Sequence, residues 1–89
     1  MDTAVRAWLL AELGTATDLT DLETRYTRLG GARAVALEIL RERLAALIAQ
    51  PASVNVSSVV SVSTAENIKA YERQIDRLEN GQPPAPGDE

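Results

Sequence analysis

The sequence predicts a mainly α-helical domain of four short helices, with one extended β segment or hairpin between the third and fourth helices. Two observations carry this prediction. Apolar residues recur at helical spacing in four stretches that glycine or proline separates, whereas the uncharged stretch at 53–62 alternates with a period of two. The same punctuation predicts one helical domain over residues 1–81, with a β arm at 53–62, and a Pro-rich tail over 82–89.

Short apolar stripes define the first two predicted helices. The first helix spans about residues 3 to 13, with Asp2 or Thr3 as its N-cap and Gly14 as its stop. Its apolar face consists of Val5, Trp8, Leu9 and Leu13. The second helix begins in the stretch DLTDLE, where Thr20 and Glu23 have the spacing of a capping box, and it ends at Gly30-Gly31. Its stripe consists of Leu22, Tyr26 and Leu29.

The third and fourth predicted helices differ in the width of their apolar surface. Apolar residues cover more than one face of the third helix, about residues 32 to 49, which predicts a central helix packed on two sides. Gln50-Pro51 ends it. The last helix begins at the capping box Ser63-Thr64-Ala65-Glu66. Its narrow seam predicts a contact with a single partner surface, either a subunit or another protein, through Ile68, Tyr71, Ile75 and Leu78.

The uncharged stretch SVNVSSVVSVS predicts a β structure that pairs with another molecule. One interpretation is a single extended strand, and the other is a hairpin that turns at Ser57-Ser58. The lack of glycine at that turn favours the single strand. With no second strand in the chain, its backbone partner would come from another subunit or another protein; a self-contained hairpin is the alternative. The predicted interface residues are Val54, Val56, Val59, Val60 and Val62, with Pro83 and Pro84 of the tail as further contacts.

Composition excludes several classes of function. The 89 residues include no Cys and no His, which removes thiolate nucleophiles, His bases and the usual zinc sites. We therefore expect no enzyme, no cofactor and no metal site. The net charge of −4 predicts weak binding to DNA phosphates. No apolar run is long enough for a membrane-spanning helix. A chain of this size is marginally stable alone, so we expect it to oligomerise.

The order of these elements resembles a known family. The stretch LTDLETRYTRLGGARAVALEILRERLAALIA and the later VNVSSVVSVSTAENIKAYERQIDRLE resemble the head–tail connector (adaptor or head-completion) proteins of tailed bacteriophages. The resemblance covers about residues 4 to 79. One departure is that Ala-Glu follows Ser63-Thr64, where many members have Asp-Gly.

The resemblance implies a structural subunit of the virion, placed between capsid and tail and assembled in the host cytoplasm. Such subunits form a homo-oligomeric ring of about twelve copies. The ring contacts the portal protein and the tail or stopper proteins, and DNA passes through its channel without specific binding.

Two other functions remain open on the sequence alone. Residues 20–49 form a helix–turn–helix pattern, which would suit a small DNA-binding regulator or an antitoxin-type protein. Its second helix carries Arg33, Arg41 and Arg43, offset by Glu38 and Glu42. The third interpretation is a coiled-coil interaction module built on the last helix, whose seam of two heptads is short for that role.

Overall fold

The chain folds into helices that pack around a central one. The computed structural model describes the backbone of residues 1–49 and 58–86, and the side chains of residues 1–49 and 65–86. Within these ranges the helices are α1 (Thr3–Leu13), α2 (Leu19–Leu29), α3 (Ala32–Ile48) and α4 (Ser58–Glu79). Helix α3 contacts each of the other three. The predictions of four helices and of a central third helix are therefore confirmed.

Aspartate side chains begin the first two helices. Ala4 N donates to Asp2 Oδ1 at 3.1 Å, and Thr20 N donates to Asp18 Oδ1 at 2.9 Å. Asp2 is thus the N-cap of α1, one of the two expected residues. The predicted capping box at Thr20 is wrong, because Asp18 caps α2 two residues earlier and leaves Thr20 inside the helix. Aspartate is at least as good an N-cap as threonine, so the earlier residue suffices.

The glycine pair between α2 and α3 reverses the chain as predicted. Gly30 adopts the left-handed conformation, with φ of 79°, and its N–H donates to Tyr26 O at 2.8 Å. Gly31 is extended and serves as the N-cap of α3. The pair therefore ends one helix and begins the next without an intervening loop.

The core combines side chains from all four helices with one residue of the tail. Its buried members among the described residues are Val5, Leu9, Leu13, Leu22, Ala32, Val35, Ala36, Ile39, Leu40, Ile75, Leu78 and Ala85. Ala85 is 1 % exposed, so the first part of the Pro-rich tail lies against the domain. A polar contact joins the outer helices as well, because Gln74 Nε2 on α4 donates to Glu12 O on α1 at 2.8 Å.

The structure does not support the predicted β segment. Residues 58–62 form the beginning of α4, so that helix starts five residues before the expected capping box at Ser63-Thr64. The remainder of the segment, residues 53–57, lies outside the described residues. Valine and serine are only a few tenths of a kcal/mol less favourable than the best helix formers. Extending a formed helix adds a hydrogen bond per residue, which offsets that weak preference.

Candidate interaction surface

Helix α3 carries apolar side chains on the face that points away from the core. Its buried face consists of Ala32, Val35, Ala36, Ile39 and Leu40. On the opposite side Ala34, Ala45 and Ile48 are exposed, and Leu37 is half-buried. The side chain of Ile48 is 64 % exposed, the largest exposure among the big apolar residues that the structure describes. We call this apolar surface the outer face of α3.

A shallow groove runs along the outer face of α3 beside the end of α2. Its volume is about 560 Å³. The residues that line it are Leu29, Ala34, Leu37, Glu38, Arg41, Glu42 and Ala45. Leu29 is 37 % exposed at one edge, and Ile48 continues the apolar surface one turn beyond Ala45. Exposed apolar side chains that are contiguous, rather than scattered, mark sites of protein contact.

Arg25 on α2 binds the two carboxylates at the edge of this groove. Its Nη1 lies 2.7 Å from Glu38 Oε1 and 2.7 Å from Glu42 Oε2, and its Nε lies 2.8 Å from Asp21 Oδ2. The hydrogen bond to Glu42 is the main reason why the pKa of Arg25 is raised above its ordinary value. The same contact lowers the pKa of Glu42. Both groups are therefore ionised at neutral pH.

The other charged residues of the groove are also paired within the chain. Glu38 accepts a further hydrogen bond from Arg28, and Arg41 Nη2 lies 2.5 Å from Glu79 Oε2 on α4. Glu38, Arg41 and Glu42 thus each have a partner of opposite charge. The groove consequently offers apolar surface with charges that are already compensated.

The arginines of α3, which the alternative helix–turn–helix interpretation would direct at DNA, bind other helices of the same chain. Arg33 Nη1 donates to Leu78 O at 2.5 Å, and Arg43 Nη1 donates to Leu13 O at 2.9 Å. These carbonyls lie at the last turns of α4 and α1, where intrahelical partners are lacking. Together with the Arg41–Glu79 pair, these contacts engage all three arginines of α3.

A second apolar surface lies on α1. Its residues Val5, Leu9 and Leu13 are buried. On its other side three alanines are exposed, Ala4, Ala7 and Ala11. Arg6 borders these alanines, and its guanidinium has no partner among the side chains that the structure describes. We call this alanine surface the outer face of α1.

The predicted interface residues of the last helix and tail occupy different environments. Ile75 and Leu78 are 8 % and 0 % exposed and belong to the core of this chain. Two of the four residues predicted to contact a partner are therefore buried within the chain itself. Ile68 is half-buried, and Tyr71 packs against that core. Pro83 and Pro84 are exposed.

The predicted arm residues divide between two regions of the chain. Val54 and Val56 lie outside the described residues. Val59, Val60 and Val62 belong to the beginning of α4, where only the backbone is described. The sequence alone does not predict the groove on α3. The spread of apolar residues over more than one face of that helix is the signal for it, but the same spread predicts packing on two sides within the chain.

The part of the chain that the structure describes holds no group of three or more His, Cys, Asp or Glu side chains able to bind a metal. None of its helices combines the length and apolar character needed to cross a bilayer.

No family model matches the sequence, and neither a curated protein nor a solved structure is significantly similar to it.

Proposed function

We propose that the chain is a non-enzymatic structural subunit of a phage head-to-tail connector ring, which joins portal to tail around the DNA channel. The observation that carries the proposal is the outer face of α3: among the residues that the structure describes, none covers the apolar groove on the helix at the centre of the fold. A subunit that assembles through its own surface needs such a face, whereas a self-sufficient domain gains nothing from it. The assignment to the connector family rests on the sequence resemblance.

The distribution of charge supports the same proposal. The chain has a net charge of −4, and its α2 and α3 arginines are engaged by internal carboxylates and carbonyls. Strong binding to DNA requires several cations that are free to neutralise phosphates. A channel that DNA must traverse benefits from few such contacts, because each would hold the moving duplex.

The packing of α3 argues against the DNA-binding regulator. A recognition helix lies in the major groove with polar and basic side chains directed at base edges. Here Arg33 and Arg43 are directed at the ends of α4 and α1, and Arg41 is paired with Glu79. The exposed side of α3 offers alanine, leucine and isoleucine, which cannot read bases by hydrogen bonding, beside Glu38, Arg41 and Glu42, which already have internal partners.

Native mass spectrometry and negative-stain electron microscopy of the full chain test the proposal, alone and mixed with portal protein. We expect closed rings of about twelve subunits, formed alone or on the portal. A chain that forms no ring under either condition would contradict the proposal. Tight binding to one duplex sequence, with an affinity that falls steeply with salt, would support the regulator instead.

A further inference from the structure

We propose that the exposed face of α4 docks beside α4 of a second copy of this chain through two stripes of opposite charge. The basic stripe consists of Lys69, Arg73 and Arg77, and the acidic stripe consists of Glu72 and Asp76. The two helices lie parallel, so that the basic stripe of one copy meets the acidic stripe of the next. This inference deepens the proposed ring function and rests on it for its biological setting.

The positive charge that the fold leaves unpaired is concentrated on α4. The chain has nine basic residues, and five of them bind carboxylates or carbonyls of other helices, namely Arg25, Arg28, Arg33, Arg41 and Arg43. The other four have no ion-pair partner among the described residues. One of these is Arg6 on α1, and the other three form the basic stripe. A single copy therefore leaves this stripe without a counter-charge.

The acidic stripe also lacks an internal counter-charge. Glu72 and Asp76 are exposed, and neither forms an ion pair within the part of the chain that the structure describes. Asp76 accepts one hydrogen bond, from Asn80 Nδ2 at 3.4 Å. Like charges four positions apart on a helix repel each other. Each stripe therefore destabilises α4 unless opposite charges lie beside it.

Both stripes lie on the solvent side of α4. Ile75 and Leu78 are buried on the opposite side. Each stripe repeats every four residues, which is about 6 Å along the helix axis. The stripes are offset by three residues, so they lie about 60° apart around the axis. Glu66 is exposed on the same helix but precedes both stripes. The two stripes thus form the two edges of one face, with the same spacing.

The positions of the stripes predict parallel helices. Rotation about an axis along the helices, as in a ring, keeps neighbouring copies of α4 parallel. It places the basic edge of one copy beside the acidic edge of the next. A two-fold axis across the helices would make them antiparallel and bring like edges together, which repel. The charge pattern therefore favours the arrangement that cyclic symmetry produces.

The alternation of charge favours a second copy over DNA as the occupant of this face. Phosphates attracted by the basic stripe would also meet Glu72 and Asp76, which repel them. A parallel α4 uses both stripes at once. Exposed ion pairs each contribute little to affinity, so the stripes set orientation and register, and we expect the contact to be weak and sensitive to salt.

Reversing the charge of each stripe separately tests the contact. One double variant combines Arg73→Glu with Arg77→Glu, which makes both edges acidic. The other combines Glu72→Lys with Asp76→Lys, which makes both edges basic. Arg6→Glu is the matched control for Arg73→Glu alone, because it replaces an exposed arginine that likewise has no partner among the described residues. Circular dichroism verifies that each variant retains its helices.

Sedimentation velocity and native mass spectrometry measure the association of the full chain. We expect the unmodified chain and Arg6→Glu to associate alike at about 0.01 M salt, and less at about 1 M, where the Debye length falls to roughly 3 Å. Each double variant alone should associate at least about tenfold more weakly, because like charges then meet. An equimolar mixture of the two double variants should recover association, since their edges are complementary.

Cross-linking tests the direction of the helices. The chain has no cysteine, so Ala65→Cys and Asn80→Cys each introduce a single thiol, about 22 Å apart along α4. A cross-linker of about 10 Å matches the separation of packed helices. We expect 65–65 and 80–80 products in a mixture of the two variants. A predominance of 65–80 products would overturn the parallel arrangement.

Three other outcomes would overturn the inference. They are an unmodified chain that stays monomeric at low salt, double variants that associate like the unmodified chain, and a mixture that recovers no association. Duplex DNA binding that is lost in the Arg73→Glu, Arg77→Glu variant would assign the basic stripe to phosphates instead.

The fate of the proposed function is separate. Rings that persist in both double variants would remove the inference and retain the ring. Association that depends on the two stripes, in a chain that never forms rings or binds portal, would do the reverse.

Discussion

Arg25 on α2 and Glu42 on α3, separated by 17 positions in the sequence, are joined by two hydrogen bonds of 2.7 and 2.9 Å. Two nitrogens of one guanidinium meet two oxygens of one carboxylate, an arrangement that fixes orientation as well as distance. The side chain of Arg25 is only 16 % exposed, so water competes weakly for its donors. The pair therefore fixes how α2 lies on α3, and its Glu42 lines the groove.

We predict that Arg25→Gln lowers the free energy of unfolding by about 1–2 kcal/mol. The substitution removes the positive charge that pairs with the carboxylates of Asp21, Glu38 and Glu42. Each such ion pair at an exposed site stabilises a protein by roughly 0.2–1 kcal/mol. Urea denaturation followed by circular dichroism measures the change. Arg73→Gln is the matched control, since Arg73 is exposed and has no partner among the described side chains. Equal losses in both variants would contradict a specific role for Arg25.

The stability of the chain should fall with acidification through the titration of Glu42. Arg25 lowers the pKa of Glu42 below its ordinary value of 4.5, so the folded state holds this proton less tightly than the unfolded chain does. The contribution is fully present above pH 4.5 and is lost as the pH falls through the lower, folded-state pKa. Arg25 stays protonated throughout, because its own pKa is raised. Denaturant titrations of Glu42→Gln should show a shallower acid dependence than those of the unmodified chain, and identical slopes would contradict the assignment.

The same substitution should destabilise the fold at Gly30 but not at the adjacent Gly31. Gly30→Ser places a side chain at φ of 79°, which costs roughly 1–2 kcal/mol. Gly31→Ser falls on extended backbone with open space around it, and a serine oxygen can cap α3. We expect Gly31→Ser to be neutral or to stabilise by a few tenths of a kcal/mol. Thermal unfolding of the two variants measures both effects, and a reversed order would contradict the backbone assignment.

Leu78 should behave as a core residue of the monomer. Leu78→Ala removes a fully buried side chain, and such changes cost about 2–5 kcal/mol. Leu19→Ala, at an exposed position, should change the free energy of unfolding by less than about 0.5 kcal/mol. Chemical denaturation of monomeric protein compares them. A Leu78→Ala variant of unchanged stability that no longer assembles would instead assign Leu78 to a subunit interface.

Local signals in the sequence predict most of the helical architecture. The expected spans of about 3–13 and 32–49 match α1 (Thr3–Leu13) and α3 (Ala32–Ile48), because glycine and apolar spacing are strong, short-range features. Helix α4 begins five residues before the predicted capping box at Ser63-Thr64, since a period-two pattern of valine and serine competes only weakly with helix extension. That this segment mediates assembly stays a prediction.

The groove illustrates what a single sequence does not specify. The apolar residues of α3 are visible in the sequence, but their division into a buried and an exposed face depends on where the other helices pack. Leu37 and Ile48 look like core residues by composition, and only the packed structure separates them from Ile39 and Leu40. The partners of Arg25 on α3 lie 13 and 17 positions away, beyond the reach of helical spacing rules, and only Asp21 lies at the i,i+4 spacing that those rules cover.

The two guanidinium groups that reach from α3 to other helix ends affect how the chain unfolds. Arg33 holds the carbonyl of Leu78, and Arg43 holds the carbonyl of Leu13, so the last turns of α4 and α1 are closed by donors from a third helix. Fraying of either end therefore breaks a hydrogen bond to α3 in addition to those within the helix. Amide protons in these terminal turns should consequently exchange with solvent deuterium at rates set by cooperative opening, rather than at the fast rates of ordinary helix ends. Helix α3, which lies at the centre of the core, thereby also makes α1 and α4 unfold cooperatively with it.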